Sequence, residues 1–169
     1  MVAEADKLVD EMLSKSVQAD VTTYTILFDA YFKQERIRNV LKWFLHLVLK
    51  TALEPSFALV NSVCSGLINK GVIEEAGEIL ERMTVTQRGG HQKPFLFANS
   101  YELLLTESCK QGKIDLVWDL PCVMVRYNIG ATPKLHGIVP EAFGKEDRVD
   151  QIESKLQQLT VQRYGGVVR

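Results

Sequence analysis

Apolar residues fall along this chain in runs spaced by three and four, the pattern of a helix that buries one face. Tyr24, Leu27, Phe28 and Tyr31 make one run; after a break at Gln34-Glu35, Ile37, Val40, Leu41, Phe44, Leu47 and Val48 make the next. The pattern returns with Val60, Val63, Cys64 and Leu67, a break at Lys70-Gly71, then Ile73, Ala76, Leu80 and Met83. Each pair predicts two helices joined by a tight turn. Gly71 and Gly112 stand where a helix C-terminus favours a left-handed residue. Asp20 and Ser56 are placed to cap the helices that follow them, and Pro55, Pro94 and Pro133 mark unit boundaries. Pro121 falls inside a second helix and predicts a kink or an early helix start.

The runs repeat in register. Met12, Leu47, Met83, Met124 and Leu159 follow one another at steps of 35, 36, 41 and 35 residues. Ala5, Val40, Ala76, Val117 and Ile152 keep the same steps, as do Ile37, Ile73, Ile114 and Val149, and Tyr24, Val60, Tyr101 and His136. Polar positions obey the register too: Lys33, Asn69, Lys110 and Lys145. Shared steps across apolar and polar slots mark tandem αα-hairpins of about 35 residues. The chain therefore reads as all-α, an α-solenoid occupying residues 1–169 as a single domain. Its units are a leading half repeat at 1–20, repeats at 21–56, 57–97 and 98–132, and an irregular capping repeat with a tail at 133–169. The leading half lacks its partner helix, so it either caps the stack or belongs to a longer protein. The step of 41 reflects extra residues at 84–93, with a polar loop at 87–92. In the last unit, Gly137 is expected in mid-helix with Pro140 close behind, and Gly165-Gly166 ends the chain in a tail.

Composition narrows the function. The chain is 46% hydrophobic and 24% charged, with a net charge of -1, which suits a packed core but not a strongly basic nucleic-acid binder. Charge is uneven: residues 1–20 sum to -3 and residues 21–56 to +2. Cys64, Cys109 and Cys122 form no close pair and suit a reducing compartment, with Cys64 and Cys109 as buried small residues. No apolar run reaches the roughly 18 residues needed to span a bilayer, and the start resembles no signal or transit peptide. His46, His91 and His136 are scattered, and His136 occupies a core slot as a structural histidine. No phosphate-cradling glycine loop, metal motif or catalytic constellation is present in the sequence, so neither an enzyme nor a metal or other cofactor is expected. Trp43, Phe44, Leu45, Leu47, Val48 and Leu49 cover more than one helix face. That surplus marks either a fully buried helix or an interaction patch.

Val21-Thr22-Thr23-Tyr24-Thr25-Ile26-Leu27-Phe28, Asn61-Ser62-Val63-Cys64-Ser65-Gly66-Leu67, Ser108-Cys109-Lys110-Gln111-Gly112 and Glu81-Arg82-Met83 together resemble the pentatricopeptide repeat family over residues 5–159. The tetratricopeptide repeat is the rival; the 35-residue step and the Cys-Lys-x-Gly turn favour the former. The resemblance implies a right-handed superhelix whose first helices line a groove for single-stranded RNA. It implies one base per repeat, read by the residue after the tyrosine slot and the residue that closes the repeat. The first reader slot holds Thr25, Asn61, Glu102 and Gly137; the closing slot holds Asp20, then Pro55 or Ser56, then about Phe97, then Thr132. Amide, hydroxyl and carboxylate groups suit exposed base edges. Thr25 would favour a purine and Asn61 a pyrimidine, Glu102 offers only acceptors, and Phe97 could stack on a base. The slots that flank a base hold Thr22, Ala58, Asn99 and Lys134. Lys33, Lys110 and Lys145, at the ends of first helices, suit either phosphate contact or complementation of the helix dipole.

The expected function is single-stranded RNA binding in a mitochondrion or plastid, the localisation coming from the resemblance alone. It would act in processing, splicing, stability or translation. The alternative is a structural or protein-interaction subunit of an organellar ribonucleoprotein such as a ribosome. Other proteins of such a particle, or a second copy in a homodimer, are then partners beside RNA, and a membrane is not. A truncated gene product without an independent role is a third reading.

Overall fold

The computed structural model describes residues 7, 11, 20–51, 53–86, 97–144 and 147–164. Most of the leading half repeat, the 87–92 loop, Pro94, Lys145 and the 165–166 glycines lie outside the described residues. Within them, regular structure is helical throughout: α1 (Val21–Lys33), α2 (Ile37–Lys50), α3 (Phe57–Asn69), α4 (Ile73–Thr86), α5 (Ala98–Lys110), α6 (Ile114–Arg126), a 3-10 turn (Pro133–Leu135), α7 (Ile138–Phe143) and α8 (Asp147–Tyr164). They gather into two compact units, residues 1–66 and 67–169, with the boundary in the last turn of α3.

The second-helix slots form the core, as their register predicts. Val40, Ala76, Val117 and Ile152 are each 0% exposed, and Leu47, Met83, Met124 and Leu159 are also buried. Each aliphatic side chain so buried contributes about 1.5–3 kcal/mol. In the first unit α1 packs on α2, and Phe28 joins Tyr24 and Phe44 in a chain of ring contacts at 6.1 Å. A β-carbon on Gly66 would lie 2.5 Å from Phe32 Cζ, so glycine lets α3 approach that ring. In the second unit α5 packs against α4, α6 and α7, and α8 closes over α6 and α7.

One turn is used four times. At the end of α1 the Arg36 N–H donates to Tyr31 O (3.0 Å); the same bond spans Val72 to Leu67 (3.0 Å), Lys113 to Ser108 (2.9 Å) and Ile129 to Met124 (2.8 Å). Each turn places one residue at positive φ: Glu35 at 58°, Gly71 at 78°, Gly112 at 68° and Asn128 at 54°. This is the Schellman ending, in which a left-handed residue lets the last carbonyls find partners. A left-handed residue with a β-carbon costs about 1–2 kcal/mol, and glycine returns part of that as unfolded-chain entropy. Glu35→Gly is therefore expected to raise the urea midpoint, worth up to about 1 kcal/mol, and Gly112→Ala to lower it by about the same.

Helix α6 runs from Ile114 to Arg126 with a buried Pro121 inside it, so the proline does not mark a helix start. Three expectations change. Gly137 is not in mid-helix: it stands at φ 82° before α7, and the first helix of the last unit shrinks to a 3-10 turn and a six-residue helix. Pro133, Gly137 and Pro140 disfavour a continuous helix there. His136 consequently leaves the core slot and is exposed, with its Nε2 3.0 Å from Thr160 Oγ1. Helix α2 is not buried on all sides, since Leu45 and Leu49 are 41% and 58% exposed.

Candidate nucleic-acid interface

The tyrosine slot sets the rotation of each first helix. Tyr24 is buried, and its hydroxyl lies 3.1 Å from His46 Nδ1 on α2; burial pushes its phenol up from the ordinary value. Tyr101 is buried with its hydroxyl 3.0 Å from Thr84 Oγ1. Thr84 spends its one proton on Leu80 O at 2.7 Å, so Tyr101 donates to Thr84. With that ring held inside, the residue after it on a 3.6-residue helix, Thr25 or Glu102, lies half-buried at the margin of the exposed face.

On α1 the outward stripe is Thr22, Thr25, Ile26, Asp29 and Lys33. Thr25 is half-buried and donates to Val21 O (2.8 Å), which leaves its oxygen as an acceptor. Asp20 caps the helix: its Oδ1 accepts from the Thr23 N–H (2.8 Å) and the Thr23 hydroxyl (2.7 Å). Those bonds hold the Asp20 carboxyl below the usual range, so its contribution is present at neutral pH and is lost as pH falls through the lowered value. On α3 the stripe is Ala58, Asn61, Ser62, Ser65 and Asn69, with Asn61 half-buried. Ser56 Oγ accepts from the Leu59 N–H at 3.2 Å, so this closing slot also serves as a helix cap.

On α5 the stripe is Asn99, Glu102, Leu103, Thr106 and Lys110. Here the two reader slots of one repeat meet. Glu102 Oε1 accepts from the Thr132 N–H at 2.6 Å, and Glu102 Oε2 accepts from the Thr132 hydroxyl at 2.9 Å. Lys110 is exposed at the helix end with its Nζ 3.2 Å from Glu107 Oε2. Glu107 also accepts from Gln111, and these two bonds, Gln111 first, hold its carboxyl below the ordinary value. Lys134 is exposed in the 3-10 turn. Phe97 is 0% exposed and belongs to the core, which removes it as a stacking surface for a base. The sequence reading omitted the stripe members Ile26 (66% exposed), Ser62 and Leu103; their place directly after the reader slot was the available signal.

Other chemistry is sparse. Burial pushes the Cys64 thiol up to about 12 and, with Glu153 nearby, the Cys109 thiol to about 11, so both stay protonated. Among the described residues no group of three or more His, Cys, Asp or Glu is placed to hold a metal ion, and no helix is long and apolar enough to cross a membrane.

Comparison with known proteins agrees with this geometry. The family model described as PPR repeat matches residues 22–50, which are α1, its turn and α2. Over 163 residues the sequence is 28% identical to a pentatricopeptide repeat-containing protein of Arabidopsis thaliana. The match covers 94% of this chain and 17% of that relative's length. The repeat match over residues 22–50, the 28% identity across most of this chain and the all-α hairpins make the chain similar to pentatricopeptide repeat proteins.

Proposed function

We propose that the chain binds single-stranded RNA, with contacts on the outward stripes of α1 and α3 in the first unit and of α5 in the second, in a mitochondrion or plastid, where it masks or remodels a strand during processing, splicing or translation. Repeats 21–56, 57–97 and 98–132 are the units of that reading, with 133–169 as the cap. Its role is binding rather than catalysis. The observation that carries it is the Glu102–Thr132 contact, because a residue after the tyrosine slot and a residue closing the repeat lie within reach of one small ligand. A base edge in that position would meet both side chains. Thr22, Asn99 and Lys134 are exposed where flanking contacts belong, and Lys33 and Lys110 stand where a phosphate could lie.

The chemistry sets the strength. Stacked bases contribute about 1–3 kcal/mol each where aromatic platforms exist, and the stripes carry none. Lys110 is already shared with Glu107. Binding should therefore be weak, with a shallow salt dependence of about two phosphate contacts. Fluorescence anisotropy with RNA homopolymers tests this; an absence of salt-sensitive binding at micromolar protein ends the proposal. Glu102 is the repairable position, since its carboxylate repels phosphate and offers no donor. Glu102→Asn is expected to tighten binding by roughly tenfold, read in the same assay.

The mutual satisfaction of Glu102 and Thr132 favours one second reading, a structural subunit of an organellar ribonucleoprotein, since a reader pair closed on itself needs no base. Co-purification with a protein particle after nuclease treatment separates the two.

A further inference from the structure

The second helices carry features that RNA binding does not use. Between α4 and α6 lies an open cleft of about 240 Å³. Its floor is apolar, from Gly77, Leu116, Leu120 and Val123, and its rim is acidic, from Glu78, Glu81 and Asp119. Gly77 keeps the floor open: a β-carbon there would reach ordinary contact with Leu104 and Leu116. Glu74, at the same rim, is neutralised by Lys113 at 2.8 Å, which leaves the three other acids facing solvent. Arg82 and Val85 line an adjoining hollow together with Glu78 and Glu81, so one basic residue stands beside the acidic rim.

Helix α2 is complementary to this cleft. Arg38, Lys42, Leu45 and Leu49 follow at steps of four, three and four, so they share one face. All four are exposed, and residues 37–50 contain no acid. Leu45 and Leu49 are two of the five large apolar side chains that the described residues leave in solvent. A basic helix face with two protruding leucines fits an acidic-rimmed apolar cleft in the way amphipathic helices fit grooves.

We propose that α2 of one copy docks in the α4/α6 cleft of a second copy. Leu45 and Leu49 enter over Gly77 and Leu120, while Arg38 and Lys42 lie along Glu78, Glu81 and Asp119. The contact uses no residue of the stripes of α1, α3 and α5, and it stands whether or not those stripes bind RNA.

Sedimentation velocity on the full chain tests this, with two charge-reversed variants. One carries Arg38→Glu and Lys42→Glu; the other carries Glu78→Lys and Glu81→Lys. The wild type is expected to self-associate reversibly in the micromolar range, less so at high salt. Each variant alone should associate at least roughly tenfold more weakly, because like charges then face each other. An equimolar mixture of the two should recover the complex, since both contacts become complementary again; that recovery also shows that both variants are folded. A wild type that stays monomeric, variants that associate as the wild type does, or a mixture that fails to recover the complex would each overturn the proposal.

Discussion

Val117→Asp should abolish cooperative folding of residues 67–169. Val117 is 0% exposed on α6, in the slot shared with Val40, Ala76 and Ile152, and the helices that cover it are α5 and α8. A carboxylate there would stand in a position closed to solvent. Burying it unpaired costs at least about 5 kcal/mol, comparable to the whole stability of a small domain. Val161→Asp is the control: Val161 is 68% exposed on α8, and the same change there should cost less than about 0.5 kcal/mol. Circular dichroism during urea unfolding reads both. A folded Val117→Asp chain would mean that this slot is not part of a packed wall.

Leu47→Ala carries the second large effect, in the first unit. Leu47 is fully buried on α2, and its side chain fills the hairpin together with Phe44 and Val40. Truncation removes three carbons and leaves a cavity, for a loss of about 2–5 kcal/mol. Leu49→Ala, two residues on but 58% exposed, should change stability by less than about 0.5 kcal/mol. The pair separates slot from face on a single helix. Equal losses at both positions would contradict the burial pattern.

Much of the scaffold was readable because helix period and repeat step act together. Val40, Ala76, Val117 and Ile152 were aligned by spacing alone and all prove fully buried. Gly71 and Gly112 were readable because few residues other than glycine adopt positive φ without cost. Glu35 takes the same conformation with no such sign, since the hydrogen bonds of the Schellman turn impose it from both sides. The last unit misled because slot register and backbone chemistry disagreed. His136 kept the step, but Pro133 and Gly137 removed the helix that would have turned it inward. Leu45 and Leu49 could not be placed, because an apolar pattern on two faces does not say which face meets a neighbour. The register assigned Glu102 and Thr132 to one reader pair, yet their direct bond spans 30 residues and depends on how α5 packs.

The most direct test of RNA handling is a titration of the isotopically labelled chain with a short single-stranded RNA, followed by backbone amide NMR. Shifts should gather at Thr22, Ile26, Asn61, Asn99, Glu102 and Lys110, on the outward stripes of α1, α3 and α5. No shifts, or shifts confined to Lys42 on α2, Glu78 on α4 and Asp119 on α6, would contradict it.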